Sequence, residues 1–303
     1  MKIYNNITAA LKSLSRNLFF TRRRFCVRKL CVYIFAISAL FLFPDGSFAK
    51  DYKRIVSLAP SITQSLYDLG IDLEIAAITV YCPKGNAPKE NIGTLLEPDL
   101  EKIASLRPDL IISTKDGNNK AAVEKLKRMG FYVYVVDTAA NFAEICSNFY
   151  NLAQVVGKSK KAGEIVAAAT TEIENVFNKI QNNNYDRVFW EVGAKPLYSA
   201  GSLSFVNDYN RFTKTENIYK DVKMRYPPVD IEDVSARNPD IIILVNMGDI
   251  TSSQKDFWKK YKNINAVKNG RIYMTDANDI FTPTPLTFAK GVKILAEILW
   301  DIK

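Results

Sequence analysis

The chain contains no histidine in 303 residues, and that absence removes more chemistry than any other feature. Histidine is the usual general base near neutral pH, the partner of serine and cysteine nucleophiles and the commonest ligand of zinc. No enzyme of those kinds is expected. A Gly-x-Gly-x-x-Gly turn after an apolar run and a Gly-x-x-x-x-Gly-Lys-Ser/Thr phosphate loop are also missing, which takes away the main supports for a nucleotide site. Cysteine is scarce. Of four, Cys26 and Cys31 precede or open the first apolar run, leaving Cys82 and Cys146. In an oxidising compartment these two either pair or remain separate thiols, and spacing alone does not decide between them. Cys82 has no base in view that would make it a nucleophile.

Acidic charge is thin at the amino end. Residues 1–49 hold eight Lys or Arg against Asp45 alone, a balance of +7 that leaves only +2 of the total +9 to the remaining chain. A nucleic-acid partner is not expected on that balance. The same 49 residues have the order of an export signal: a basic stretch ending at Lys29, an apolar run over Cys31–Phe43, a break at Pro44-Asp45-Gly46, and small residues at Ser47-Phe48-Ala49. The apolar run is well short of the roughly 20 residues that span a bilayer. Cleavage after Ala49 is expected, with the mature chain starting at Lys50 in the periplasm or another extracytoplasmic space. No lipid-modified cysteine is expected, because none follows the apolar run.

What is present in excess of chance is a repeat. Asp99-Leu-Glu101-Lys-Ile103 leading to Pro108-Asp109-Leu-Ile-Ile112 recurs 131 residues later as Asp230-Ile-Glu232-Asp-Val234 leading to Pro239-Asp240-Ile-Ile-Ile243. Each copy reads as a helix opened by an acid, stopped by proline, and followed by an apolar strand. Two lobes of like construction follow, with one Glu at the same place on each.

Strands at Arg54–Leu58, Ile75–Thr79, Asp109–Ile112 and Tyr132–Val136 alternate with helices at Pro60–Leu69 and about Asn119–Met129, the pattern of a parallel sheet with right-handed crossovers. Residues 50–157 are expected to form this first α/β lobe. A long amphipathic helix occupies Ser159 to about Ile180 within a connecting segment, 158–183, ended by Asn182-Asn183-Asn184. Residues 184–303 form a second α/β lobe with strands at Val188–Val192, Asp240–Val245 and Arg271–Thr275 and a closing helix at Leu286–Ile302. A single long helix joining the lobes permits small tilting and little wide opening.

With these elements in place, the chain resembles the substrate-binding proteins of ABC importers that capture cobalamin, ferric siderophores or haem. The segments that carry the resemblance are Arg54-Ile-Val-Ser-Leu-Ala-Pro-Ser61 with Thr63, Gly93 through Glu101 to Ile111, Pro196-Leu-Tyr-Ser-Ala-Gly201, Pro227-Pro-Val-Asp-Ile-Glu232, and Trp258 with Val267-Lys-Asn-Gly-Arg-Ile-Tyr273. The resemblance implies a ligand cleft between the lobes, built from the loops Leu58–Ser61, Val80–Leu96, Ser113–Asn118, Gly193–Gly201, Met224–Pro228 and Asn278–Pro285. Tyr81, Thr114, Lys115, Tyr198, Arg225, Tyr226 and Phe281 are the expected ligand-binding side chains, aromatics for a flat ring system and cations for acidic groups. It further implies that Glu101 and Glu232 dock onto a permease dimer, and that the protein is a monomer with no cofactor or resident metal. The ligand class is an organic iron chelate or corrinoid, with ferric siderophore, haem and cobalamin all open. Where cobalamin binders of this type carry tryptophan, this chain reads Gly93-Thr-Leu95, Ser113-Thr-Lys115 and Asp279-Ile-Phe281. The alternative is an exported enzyme on the same scaffold, using Glu191, Asp208 or Glu216.

Overall fold

A computed structural model describes residues 51–180, 185–246 and 252–302. The expected export signal, the start at Lys50 and the helix stop at Asn182–Asn184 lie outside the described residues. The first lobe runs β1 (Ile55–Ser57), α1 (Pro60–Asp68), β2 (Ile75–Ile78), β3 (Glu90–Asn91), α2 (Leu100–Ser105), β4 (Leu110–Thr114), α3 (Lys120–Arg128) and β5 (Val133–Val136). These strands form one parallel sheet in the order β3-β2-β1-β4-β5. Every residue of central β1 and β4 is buried, because helices cover both faces of a parallel sheet. That explains why they read as unbroken apolar runs rather than alternating ones.

The second lobe contains β6 (Arg187–Glu191), a hairpin of β7 (Gly193–Ala194) and β8 (Leu197–Tyr198), α6 (Val206–Phe212), β9 (Glu216–Asn217), α7 (Ile231–Arg237), β10 (Ile241–Asn246), α8 (Ser252–Trp258), α9 (Asn265–Lys268), β11 (Ile272–Asp276), α10 (Ala277–Ile280) and α11 (Pro285–Trp300). Its parallel sheet has the order β11-β10-β6-β9. Between the lobes run α4 (Phe142–Val155) and α5 (Ser159–Lys179). At about 1.5 Å per residue α5 is about 30 Å long. One end packs Ala162 into the first lobe's core, and the other packs Ala169, Ile173 and Val176 into the second lobe's.

The repeat in sequence is a repeat in hydrogen bonds. Asp99 caps α2 by accepting from Lys102 N at 2.9 Å, and Asp230 caps α7 by accepting from Asp233 N at 2.7 Å, as a helix N-cap should. Each helix is followed by a residue in the left-handed region ahead of the proline, Arg107 at φ 48 and Asn238 at φ 44. Each repeat's second Asp then clamps the start of the neighbouring central strand. Asp109 accepts from Lys53 N at 2.7 Å and Arg54 N at 3.0 Å, and Asp240 accepts from Arg187 N at 3.0 Å. Most of the repeated phrase is thus accounted for by folding. Only the two glutamates are left over.

The connection differs from the sequence expectation in one respect. Although α5 is the covalent link, α4 is shared too: Phe149, Leu152 and Ala153 belong to the first lobe's core, whereas Phe142 and Ile145 pack in the second's. The Phe142 ring lies 4.9 Å from that of Phe288 in α11, and its backbone N–H donates to Asp208 at 2.7 Å. A second tie crosses elsewhere, where Thr284 donates to Asp68 at 2.6 Å. Burial outweighs this bond and a second from Gln64 Nε2 at 2.8 Å, and raises the Asp68 carboxyl above the ordinary range. Cys82, buried in the first lobe's core, and Cys146 in α4 are both free thiols. Burial holds the Cys146 thiol up at about 12 and raises that of Cys82, so neither is poised for thiolate chemistry.

Candidate functional site: a cleft between the lobes

The carboxyl ends of the strands in both sheets face a cavity of about 480 Å³, within the usual size of small-molecule sites. Three surfaces make it. The first lobe supplies the amino end of α1 at Pro60-Ser61 and the loop after β4 with Thr114, Asp116 and Gly117. Shared helix α4 supplies Ile145, Asn148, Phe149 and Leu152. The second lobe supplies Phe205, Arg225, Tyr226 and Phe281 with the loop to Pro283.

Asn118 fixes the first lobe's rim. Its amide oxygen accepts from Thr114 N at 2.8 Å, and its NH₂ donates to the carbonyls of Leu58 and Leu95 at 2.9 and 3.0 Å. One side chain therefore ties together the three loops after β1, β3 and β4. Thr114 Oγ1 accepts from Asp116 N at 3.0 Å and closes the same turn. Gly117, at φ +95, completes it with Leu95 pressed against the space a Cβ would need, a conformation and approach that favour glycine.

The second lobe's rim is placed by the hairpin. Gly201 N donates to Arg225 O at 2.9 Å and Ser199 N to Pro227 O at 3.0 Å, so the Arg225-Tyr226 segment is laid along it. A Cβ at Gly201 would meet the carbonyls of Met224 and Val222, the latter at 2.7 Å. Tyr226, Phe281 and Phe205 then form a run of rings, with centroids 6.0 and 5.6 Å apart, spacings at which aromatic rings attract. Burial pushes the Tyr226 hydroxyl up to about 12.

Charge in the cleft is paired. Arg225 reaches across to the first lobe, forming an ion pair with Asp116 and donating to Ala139 O at 3.2 Å. Burial raises the Asp116 carboxyl above its ordinary range even with that guanidinium beside it. Asp137 also lines the cavity and is paired with Lys115.

Of the seven ligand-binding residues expected from sequence, Thr114, Arg225, Tyr226 and Phe281 come together on the cavity wall. Three do not. Tyr81 is 70% exposed on the loop after β2, Lys115 stands outside the lining behind Asp137, and Tyr198 packs in the hairpin against the second lobe's core. Sequence reasoning missed Asp116, Asp137, Phe205 and the α4 face. Asp116 lies in a loop already singled out, but its pairing with a residue 109 positions away has no local signal. The α4 residues sit at Ile145, Asn148, Phe149 and Leu152, the i, i+3, i+4, i+7 spacing of one helix face, which did carry one. Glu101 and Glu232 sit in the exposed first turns of α2 and α7. Among the described residues no group of three or more side chains could hold a metal ion.

Two parallel α/β lobes with one covalent helix between them and a cavity at the strand ends define a bilobed solute-binding protein. The chain belongs to the periplasmic binding protein family, whose profile matches residues 55–278. It is 25% identical over 271 residues to a vitamin B12-binding protein of Vibrio parahaemolyticus, covering 88% of this chain and 96% of that one. It is 28% identical to an uncharacterised ABC transporter substrate-binding lipoprotein of Bacillus subtilis, covering 84% and 82%. Among solved structures, a Staphylococcus epidermidis protein described as a possible iron-binding periplasmic solute-binding protein superposes with a TM-score of 0.73 at 30% identity, over 83% of this chain and all of that one. The resemblance read from the sequence motifs holds, as does the solute-binding role.

Proposed function

We propose that this protein captures an organic iron chelate or corrinoid in the interlobe cleft and delivers it to an ABC importer. One observation carries the reading: a cavity of about 480 Å³ with a ring-lined wall on one lobe and a polar rim on the other. Flat or ring-bearing ligands suit such a wall. A vitamin B12-binding protein and a possible iron-binding protein among the similar proteins support the same class. Tyr226, Phe281, Thr114 and Arg225 are the cleft residues proposed to meet ligand, with Tyr81, Lys115 and Tyr198 at the margins.

Delivery is assigned to Glu101 and Glu232, one per lobe, at positions matched by the repeat. Each carries a charge beyond what its helix cap requires, since Asp99 and Asp230 already cap. In this reading the lobes comprise residues 50–157 and 184–303, joined by 158–183, and the protein works as a monomer exported by a cleaved signal without a lipid anchor. Protein purified from its native source is expected to show a visible absorption band and about one equivalent of iron or cobalt. Hydrolysis of chromogenic substrates, with no band and no metal, would instead favour an exported enzyme.

A further inference from the structure

The cavity lining holds one guanidinium and two carboxylates, Arg225 against Asp116 and Asp137. Arg225 is already committed. Its Nη1 donates to Asp116 and its Nη2 to Ala139 O, both on the opposite lobe. The cation paired with Asp137 is Lys115, which stands off the lining with 60% of its side chain exposed, where water screens it. The other positive element is the amino end of α1, whose cap residue Ala59 makes no side-chain hydrogen bond. Such an end acts as about half an elementary charge. The lining is therefore close to neutral, and each full cation near it has a protein carboxylate as partner.

We propose that the cleft selects cargo by charge, admitting neutral or cationic chelates and corrinoids and rejecting strongly anionic ones, with Asp116 as the specificity-determining residue. The inference rests on the chelate reading above. An anionic group entering beside Arg225 has two options: it displaces Asp116 and leaves that half-buried carboxylate without its cation, or it lies next to two carboxylates. Both are unfavourable. A neutral corrinoid or a cationic complex meets neither obstacle. The lining contains no cysteine, methionine or histidine, and its one tyrosine, Tyr226, is a partly buried member of the aromatic run.

The test titrates purified protein with three probes: cyanocobalamin, the cationic ferric trihydroxamate ferrioxamine B, and a ferric triscatecholate, reading Kd by calorimetry. Wild-type protein is expected to bind at least one of the first two more than about tenfold tighter than the triscatecholate. Asp116→Asn, which keeps the shape and frees Arg225, is expected to narrow that ratio by about tenfold through tighter binding of the triscatecholate. Asp137→Asn provides a second variant on a separate loop, with a change of the same sign. Preference of the wild type for the triscatecholate, or a ratio unmoved in both variants, overturns the charge selection while leaving the chelate reading intact. Binding of none of the three overturns the charge selection, and failure to bind haemin as well overturns the chelate reading with it.

Discussion

The two lobes share a plan and differ in what fills it. All three tryptophans, Trp190, Trp258 and Trp300, lie in the second lobe, whose core packs Trp190, Tyr209, Phe205 and Phe288 around β6 and α11. The first lobe's two clusters are built almost wholly of Ile, Leu, Val and Ala. The same asymmetry appears at the cleft, where the ring-lined wall is the edge of the second lobe's aromatic core and the first lobe contributes a rim of backbone turns held by Asn118. The two scaffolds are alike in plan, and their side chains set them apart. One lobe offers surface to bury, and the other offers fixed polar geometry.

The largest expected effect tests the one feature both lobes keep on their outside. Changing Glu101 and Glu232 together to Arg is expected to abolish transport in vesicles holding the cognate permease, because cations on the permease that meet these carboxylates in the proposed docking would then face like charges. Ligand affinity and melting temperature should stay nearly unchanged, since neither side chain makes a described hydrogen bond or ion pair. Wild-type transport by the double variant would reduce both glutamates to helix-dipole partners, worth about 0.3–1 kcal/mol each.

Next come the matched strand clamps. Asp109→Ala and Asp240→Ala should each cost about 1.5–3 kcal/mol in urea unfolding, the usual worth of hydrogen bonds to a charged group. Asp109 should cost more, because both of its partners are backbone N–H groups that would be left unpaired. Equal or reversed costs would mean that the second backbone partner of Asp109 adds nothing to its clamp.

The cleft walls can be separated by ligand affinity. Tyr226→Ala is expected to weaken binding by about 1–3 kcal/mol, the cost of a buried aromatic anchor. Tyr81→Ala should cost less, given that Tyr81 is 70% exposed and off the cavity wall. Calorimetry showing the reverse order would move the ligand onto the first lobe's rim.

The interlobe tie at Asp68 predicts a pH dependence. Its folded-state carboxyl titrates above the ordinary value of about 3.9. Between those two values the folded protein binds a proton that the unfolded chain has released. Stability from this group is therefore greatest below about pH 4 and falls as pH rises through the folded value. Asp68→Asn retains an oxygen to accept from Thr284 and removes the charge, so the stability profile above pH 4 should flatten. An unchanged slope would show that the burial cost lies elsewhere.

The smallest effect concerns the two left-handed residues. Arg107→Asn should stabilise by up to about 1 kcal/mol, because asparagine tolerates that region better than arginine. Asn238→Arg should destabilise, losing as well the bond from Asn265 N to its side chain at 2.8 Å. A melting-temperature comparison of the two variants checks the paired signs.

Sequence alone determined the elements whose signal is local. Proline at the start of α1, the capping acids at Asp99 and Asp230 and the apolar runs at β4 and β10 set their own structure, so the lobes, the repeat and the long linking helix were legible. Elements held by distant partners were not: the two-residue strands β3 and β9 exist because a neighbouring strand pairs with them. Helix α4 had the right spacing, but only packing divided its face between two cores. The cleft followed the same division. Its loops were readable because parallel strands must end on one side of each sheet, and its aromatics were readable as residue types. The pairing of Arg225 with Asp116, the withdrawal of Tyr198 into the hairpin and the exposure of Tyr81 were decided by tertiary structure. Each depends on where the other lobe, or a turn many residues away, sets an acceptor or a surface, and no periodicity in the chain encodes that distance.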